Sequence, residues 1–444
     1  MQLKTWLAAL LVIAATLSAL PEFRHAVDLV PLPQARQDLI STAEQVASVH
    51  PAFVDSADGA ARQRSYLRYA EGLAAGLREP LTYSGLLADE DRVLNYVKDP
   101  HTLLAQNWSP LADPELLPVG FFWAKGGLVV YRVRGTPAGI ETGDRVLAIG
   151  GIPTALVLVR MRRFFSGNVP WLHTLAGYYL PLGNTLTWLG VVSHGDVALR
   201  LERPSGQRYR IAAALVPLSL ASYDAYELGR GSFLERFIAP PGLAARLRNS
   251  IYAWQVTPDY GIFWLTACQD SPGFERAVQA FFQAVRRAGV SNVVIDLQEN
   301  MGGDAAVAFA FLAHMPLKSG NGLGISPAPG GVFPGHVYVL VNGATMSSGV
   351  EAAEFLTEEG DGILVGSPAG LASGAWGEVQ GYQTPDGSMN YQVSTMFIDA
   401  VNHRITPALM PSIELPLTAQ DVARGVNPVT KWLARLPSPV SPCT

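Results

Sequence analysis

Thr345-Met346-Ser347-Ser348-Gly349 stands between two apolar runs, VYVLVN and EAAEFL. The first run has the composition of a buried strand and the second the spacing of a helix. A serine at such a turn exposes its hydroxyl at a helix start, where free N–H groups favour negative charge. An acyl-transfer nucleophile would stand there, although a plain helix cap uses the same residue types. A second such place is Gly302-Gly303, which follows the run NVVIDL through Asn300 and Met301. Glycine lets the backbone turn with its N–H groups aimed at one point, which suits an oxyanion hole.

These residues need elements to hold them. From about residue 250 the pattern runs strand, helix, strand, helix: Gly261 to Thr266 is β-prone, and Phe274, Val278, Phe281, Phe282 and Val285 recur at helical spacing. NVVIDL and VYVLVN follow as buried strands, so the expected core is a layered α/β one. Residues 34–100 read as short helices broken at Pro51, Gly59 and Pro80. Residues 120–215 read as strands and turns, interrupted by an aromatic-rich, partly helical insertion, RRFFSGNVPWLHTLAGYYLPLG. The expected division is 21–105 helical, 115–218 β-rich and 245–437 catalytic.

Composition narrows the function. A chain of 444 residues fits two or three domains, and its net charge of −5 offers no basic surface, so nucleic acid is excluded as a partner. Only Cys268 and Cys443 occur, far apart, which excludes both a disulfide framework and a cysteine metal cluster. Lys4, the apolar run from Trp6 to Leu20 and then Pro21-Glu22 read as a signal peptide over 1–20. The chain is expected to be exported to a periplasmic or extracellular location, with cleavage after Ala19. The alternative is an uncleaved N-terminal anchor, the one route to membrane association.

In 128–153, LVVYRVRGTPAGIETGDRVLAIGGIP, a strand leads to Ala138 and Gly139, turns at Gly143-Asp144 and ends in a strand at Gly150-Gly151. This segment resembles that of PDZ domains. The resemblance implies a strand edge at which a peptide can add as an extra strand.

Three further segments resemble the C-terminal processing (tail-specific) serine peptidases: VVIDLQENMGGD (293–304), YVLVNGATMSSGVEAAEFL (338–356), and LVGSPAGLASG followed by TPDGSMNYQVS. PSIELPLTAQDVARGVNP adds to the likeness, which spans roughly 95–435. It implies an α/β core of the crotonase/ClpP-like layered type and cleavage of protein or peptide substrates, with no cofactor. The family's nucleophile stands two after the threonine, which selects Ser347, and Ser348 would then lend its N–H to the oxyanion hole. Counting back from the acidic residue selects Ser348 instead, because Val350 stands where glutamate is usual; the ungapped T-x-S stretch favours Ser347.

The family's Ser–Lys dyad is missing, since no lysine lies between Lys318 and Lys431 and Ala372 or Ser373 fills its place. The tricorn-core-like branch uses a histidine ahead of the PDZ-like domain, and YVKDPHT resembles its motif, which implies His101 as the base. That branch's orienting glutamate registers with Ile405 and the following aspartate with Ser412, so Asp99 and Asp399 are substitutes on position alone. A carrier protein that keeps this fold without the chemistry is the alternative reading.

Overall fold

The computed structural model describes residues 28–104, 115–133, 139–217, 247, 250–271, 273–318 and 323–436. The signal peptide, Ala138 and Cys443 lie outside the described residues. The chain divides into two compact units: 1–167, 175–228 and 375–398 form the first, and 168–174, 229–374 and 399–444 the second.

The second unit is built on a six-stranded sheet. Its order is Tyr252–Val256, Gly261–Leu265, Asn292–Asp296, His336–Val341, Gly362–Gly366 and Ile413–Glu414, with only the first pair antiparallel. Gly261–Leu265 and Asn292–Asp296 are buried at every residue. That explains why they read as continuous apolar runs, as parallel strands covered on both faces do. The helix Phe274–Ala288 buries Phe274, Val278, Phe281, Phe282 and Val285, and ends at Gly289 with φ 68°. Glycine tolerates that left-handed cap without the Cβ clash other residues meet. Phe263 sits edge-on to Phe274, Phe281 and Phe311 at 5.1–6.0 Å, which fixes the sheet–helix layer. Two parallel strands, Asn292–Asp296 and His336–Val341, carry at their carboxyl ends the loops that hold Gly302 and Ser347. Open α/β sheets present their sites at such ends.

The first unit has a helical and a β part. Helices Leu32–Val49, Gly59–Gly76 and Tyr83–Leu94 pack around Leu39, Val46, Tyr66, Leu86 and Leu94, the helical N-terminal segment the sequence predicts. A largely antiparallel sheet follows, in the order Arg208–Ala214, Asp196–Glu202, Arg145–Ile149, Gly127–Val133 and Val119–Ala124. Asp144, buried at the Gly143-Asp144 turn, accepts from Glu141 N–H at 2.7 Å and from both Arg203 Nη1 (2.9 Å) and the Tyr209 hydroxyl (2.5 Å). The aromatic-rich insertion contains the helix Val169–Tyr179.

One division differs from the sequence reading. The hairpin Ala375–Gln383 and Asn390–Ile398, placed by pattern in the catalytic stretch 245–437, belongs to the first unit. There Tyr391 and Gln392 pair with Leu104 and Leu103. Strand pairing across nearly three hundred residues leaves no trace in local periodicity.

Candidate active site

In the second unit, hydrogen bonds lace two loops together. Thr345 Oγ1 donates to Leu297 O (2.9 Å) and accepts from Asn342 N–H (2.9 Å). Met346 N–H donates to Asn300 O (2.8 Å), and Asn300 Nδ2 reaches Leu265 O (3.0 Å). Ser347 caps this assembly with φ 52° and ψ −136°, just before the helix Ser348–Glu354. A non-glycine residue at positive φ is strained, and such strain gathers at functional turns. Its hydroxyl has no partner among the described residues. Ser348 differs: it is buried, and its hydroxyl donates to Gly303 O at 2.9 Å. Of the two candidate serines, only Ser347 keeps a free oxygen.

Both glycines are required by sterics. Gly302 has φ 101°, and a Cβ there would lie 2.5 Å from Ser347 Cβ and 3.0 Å from its Oγ. Gly303 has φ 136°, and a Cβ would lie 1.9 Å from Cys268 O. Their N–H groups part company: Gly302 N–H is taken by Asn300 Oδ1 at 2.9 Å. Gly303 N–H and Ser348 N–H have no acceptor among the described residues. Cys268 packs beneath, its Sγ 3.5 Å from both Asn300 Oδ1 and Ser348 O. Burial pushes its thiol up to about 12, so it is a packing residue here.

His101 and Asp99 lie in the first unit. His101 is nearly buried, its Nδ1 is 3.7 Å from Asp99 Oδ1, and neither ring nitrogen has a hydrogen-bond partner among the described residues. Asp99 is fully buried yet richly partnered. Its Oδ1 accepts from His101 N–H (3.0 Å), and its Oδ2 accepts from Thr102 Oγ1 (2.7 Å), Ser394 Oγ (2.6 Å) and His50 Nε2 (3.3 Å). Burial alone would raise its pKa. The two imidazoles and the Ser394 hydroxyl outweigh that and hold the carboxyl well below the usual carboxylate range.

His50 is a partner the sequence does not disclose. Its Nδ1 accepts from Ala52 N–H at 3.1 Å, which leaves the ring proton on Nε2, facing Asp99. Trp376 covers the ring edge-on at 4.9 Å.

The other substitute acid, Asp399, is exposed and bonded to His403 Nδ1 at 2.6 Å, an interaction that lowers its pKa. Ile405 is 63% exposed. Sequence reasoning also passed over Glu354 in the second unit. It is buried where the helix widens into a π-turn over Phe355–Glu359, and it accepts from the Ser373 hydroxyl and from Val401 N–H (3.4 Å). Burial raises its pKa first of all. Ser373 is one of the two residues, with Ala372, that fill the place of the Ser–Lys branch's lysine, and its neutral hydroxyl meets the Glu354 carboxyl.

Residues 259–414 match Peptidase family S41. No curated protein sequence matches the chain. Among solved structures, mature CPAF complexed with lactacystin is similar at 14% identity and a TM-score of 0.62, covering 91% of this chain and 97% of that one. Mature CPAF alone gives 15% and 0.61, covering 91% and 96%, and a CPAF mutant gives 15% and 0.66 over the same shares. At such identities the likeness is one of fold. The S41 match contains Ser347, Gly302 and Gly303, and the chain as a whole shares the fold of the CPAF structures.

Proposed function

We propose that the chain is an exported serine endopeptidase of the C-terminal processing type. Ser347 is the nucleophile, His101 the general base and Asp99 the acid that orients it. The observation that carries the reading is Ser347 itself: a strained backbone, an unengaged hydroxyl, and two unengaged N–H groups on Gly303 and Ser348. Ser347 Oγ attacks the scissile carbonyl carbon and its proton passes to the general base. The new oxyanion takes the N–H groups of Gly303 and Ser348, donors that act hardest on charge developing in the transition state. Collapse expels the amine, which leaves with the proton from the general base. Water then hydrolyses the acyl-enzyme by the same route in reverse. Asp99, kept ionised by its donors, stabilises the imidazolium formed in between.

Export is supported by the charged and apolar pattern of residues 1–20, and no helix among the described residues is long and apolar enough to cross a membrane. The resemblance of 128–153 to a PDZ segment supports capture of a peptide along a strand edge.

Labelling by a fluorophosphonate probe tests the reading. Wild type is expected to label, Ser347→Ala to fail, and Ser348→Ala to keep labelling. The kcat/KM on an unfolded protein substrate should fall by about 10³-fold or more in His101→Ala. A folded wild-type protein that never labels would overturn the enzyme reading in favour of a carrier of the same fold.

A further inference from the structure

The aromatic-rich insertion has no part in the chemistry above. Its leading residues Arg162, Arg163 and Phe164 help line a cleft of about 670 Å³ that lies wholly in the first unit. Charge in this cleft is unbalanced. Arg92 is neutralised by Asp89 at 2.6 Å, and Asp89 is the one acid in the lining. Lys98, Arg162 and Arg163 have no ion pair among the described residues. Like charges gathered in one concavity repel each other and attract an anion. Lys98 registers this: loss of solvent and then the Arg162 guanidinium push its ammonium below the ordinary lysine range.

The fold fixes the backbone beneath two of these cations. Lys98 stands at φ 59° with its N–H bonded to Asn95 O (3.2 Å), and Asn95 Nδ2 ties down Arg162 O (2.6 Å). Beside them are two aromatic pairs, Tyr69–Tyr96 at 5.1 Å and Phe164–Trp188 at 5.6 Å between ring centres. Trp188 spends its Nε1–H on Ser84 Oγ (3.1 Å).

From this arrangement we infer that the cleft binds a peptide segment carrying a carboxylate next to an aromatic or large aliphatic side chain. Guanidinium groups match a carboxylate with paired N–H donors, and aromatic walls take up an apolar neighbour. The volume falls in the range of small-ligand pockets, about 300–1,000 Å³. That the anion belongs to a peptide rests on the peptidase reading; the excess of positive charge does not.

The test uses full-length Ser347→Ala protein, so that nothing is cleaved, and fluorescein-labelled peptides followed by anisotropy at low salt. One peptide ends in Phe with a free carboxylate, one carries an internal Glu-Phe and an amidated end, and one is neutral throughout. At least one charged peptide is expected to bind about tenfold or more tightly than the neutral one, a gap of about 1.4 kcal/mol, and to weaken as sodium chloride rises. The tighter of the two tells a terminal from a side-chain carboxylate. Adding Arg162→Gln or Arg163→Gln should each cost about tenfold at an unchanged melting temperature, whereas Arg210→Gln, the same charge change on an exposed strand, should cost nothing. Equal binding of the neutral peptide, or full affinity in a folded Arg162→Gln/Arg163→Gln double variant, would overturn the proposal. So would displacement by inorganic phosphate as effective as by the unlabelled charged peptide. If wild type fails to label with fluorophosphonate, the peptidase reading falls while this binding measurement still stands.

Discussion

The turn at Ser347 and the centre at Asp99 are built by opposite means. Around Ser347 the backbone does the positioning: one residue is held at φ 52°, and two glycines lie too close for any side chain. Around Asp99 the side chains do it, with Thr102, Ser394 and His50 all donating to one oxygen. A site made from backbone shape fails when a single methyl group is added. One made from hydrogen bonds depends on charge and on the number of donors, so it fails when the carboxylate is neutralised.

The largest effect should come from Gly302→Ala. The new methyl would sit 2.5 Å from Ser347 Cβ and 2.8 Å from Ser348 N, at a φ of 101° that alanine rarely adopts. Fluorophosphonate labelling is expected to fall to the Ser347→Ala background while circular dichroism remains that of a folded protein. Wild-type labelling in this variant would mean that the turn can relax, and the contrast between the two sites would break.

Asp99→Asn comes next. The shape is kept, but the amide no longer carries the charge that its donors stabilise. In serine triads the corresponding loss is about 10⁴-fold in kcat, and a fall of about 10³–10⁴ with little change in KM is expected here. Activity kept to within about tenfold would remove Asp99 from its orienting role.

What the sequence discloses follows the same divide. The serine turn and the glycine pair are contiguous, so spacing and resemblance locate them, and the α/β core follows from continuous apolar strands. The Asp99 centre is not contiguous. His50 and Ser394 stand 49 and 295 residues away from Asp99, and nothing local marks either one. Asp99 could be named only as the neighbour of His101, on equal terms with Asp399. The pairing of Leu103–Leu104 with Asn390–Ile398 separates them by carrying Ser394 to the first aspartate. The sequence favours Ser347 over Ser348 through the ungapped T-x-S stretch, and the backbone angle of Ser347 and the bonded hydroxyl of Ser348, which residue types do not supply, point the same way.

A second buried aspartate sharpens the comparison. Asp296, at the end of the strand before Gly302, is 3% exposed and has Gln298 N–H (2.9 Å) as its donor. Burial, joined by nearby Glu299, pushes its pKa up to about 7 against that bond. Folding therefore binds a proton at Asp296 between pH 3.8 and about 7. Its cost to stability is absent below that window, grows through it and is complete above it. Asp99 has the opposite sign: its contribution is present above the unfolded value and lost as pH falls through the lowered folded value. Asp296→Asn should raise stability by up to about 3–4 kcal/mol above pH 8 and by little near pH 4, read from urea melts. A gain independent of pH would show that Asp296 keeps its ordinary carboxylate pKa in the folded protein.

The smallest effect concerns the strain itself. If Ser347 is held at φ 52° by the loops around it, replacing it with glycine removes the Cβ that makes this angle costly. Glycine also widens the unfolded ensemble, which offsets part of the gain, so the net rise should be no more than about 1 kcal/mol. Ser347→Ala is the needed control: it removes the hydroxyl as glycine does but keeps the Cβ. Melting temperatures should therefore rank Ser347→Gly above both Ser347→Ala and wild type. The reverse order would mean that the serine hydroxyl or its Cβ contributes more to folding than the angle costs. In that case the turn would not be storing strain for catalysis, and the free oxygen of Ser347 would need another explanation.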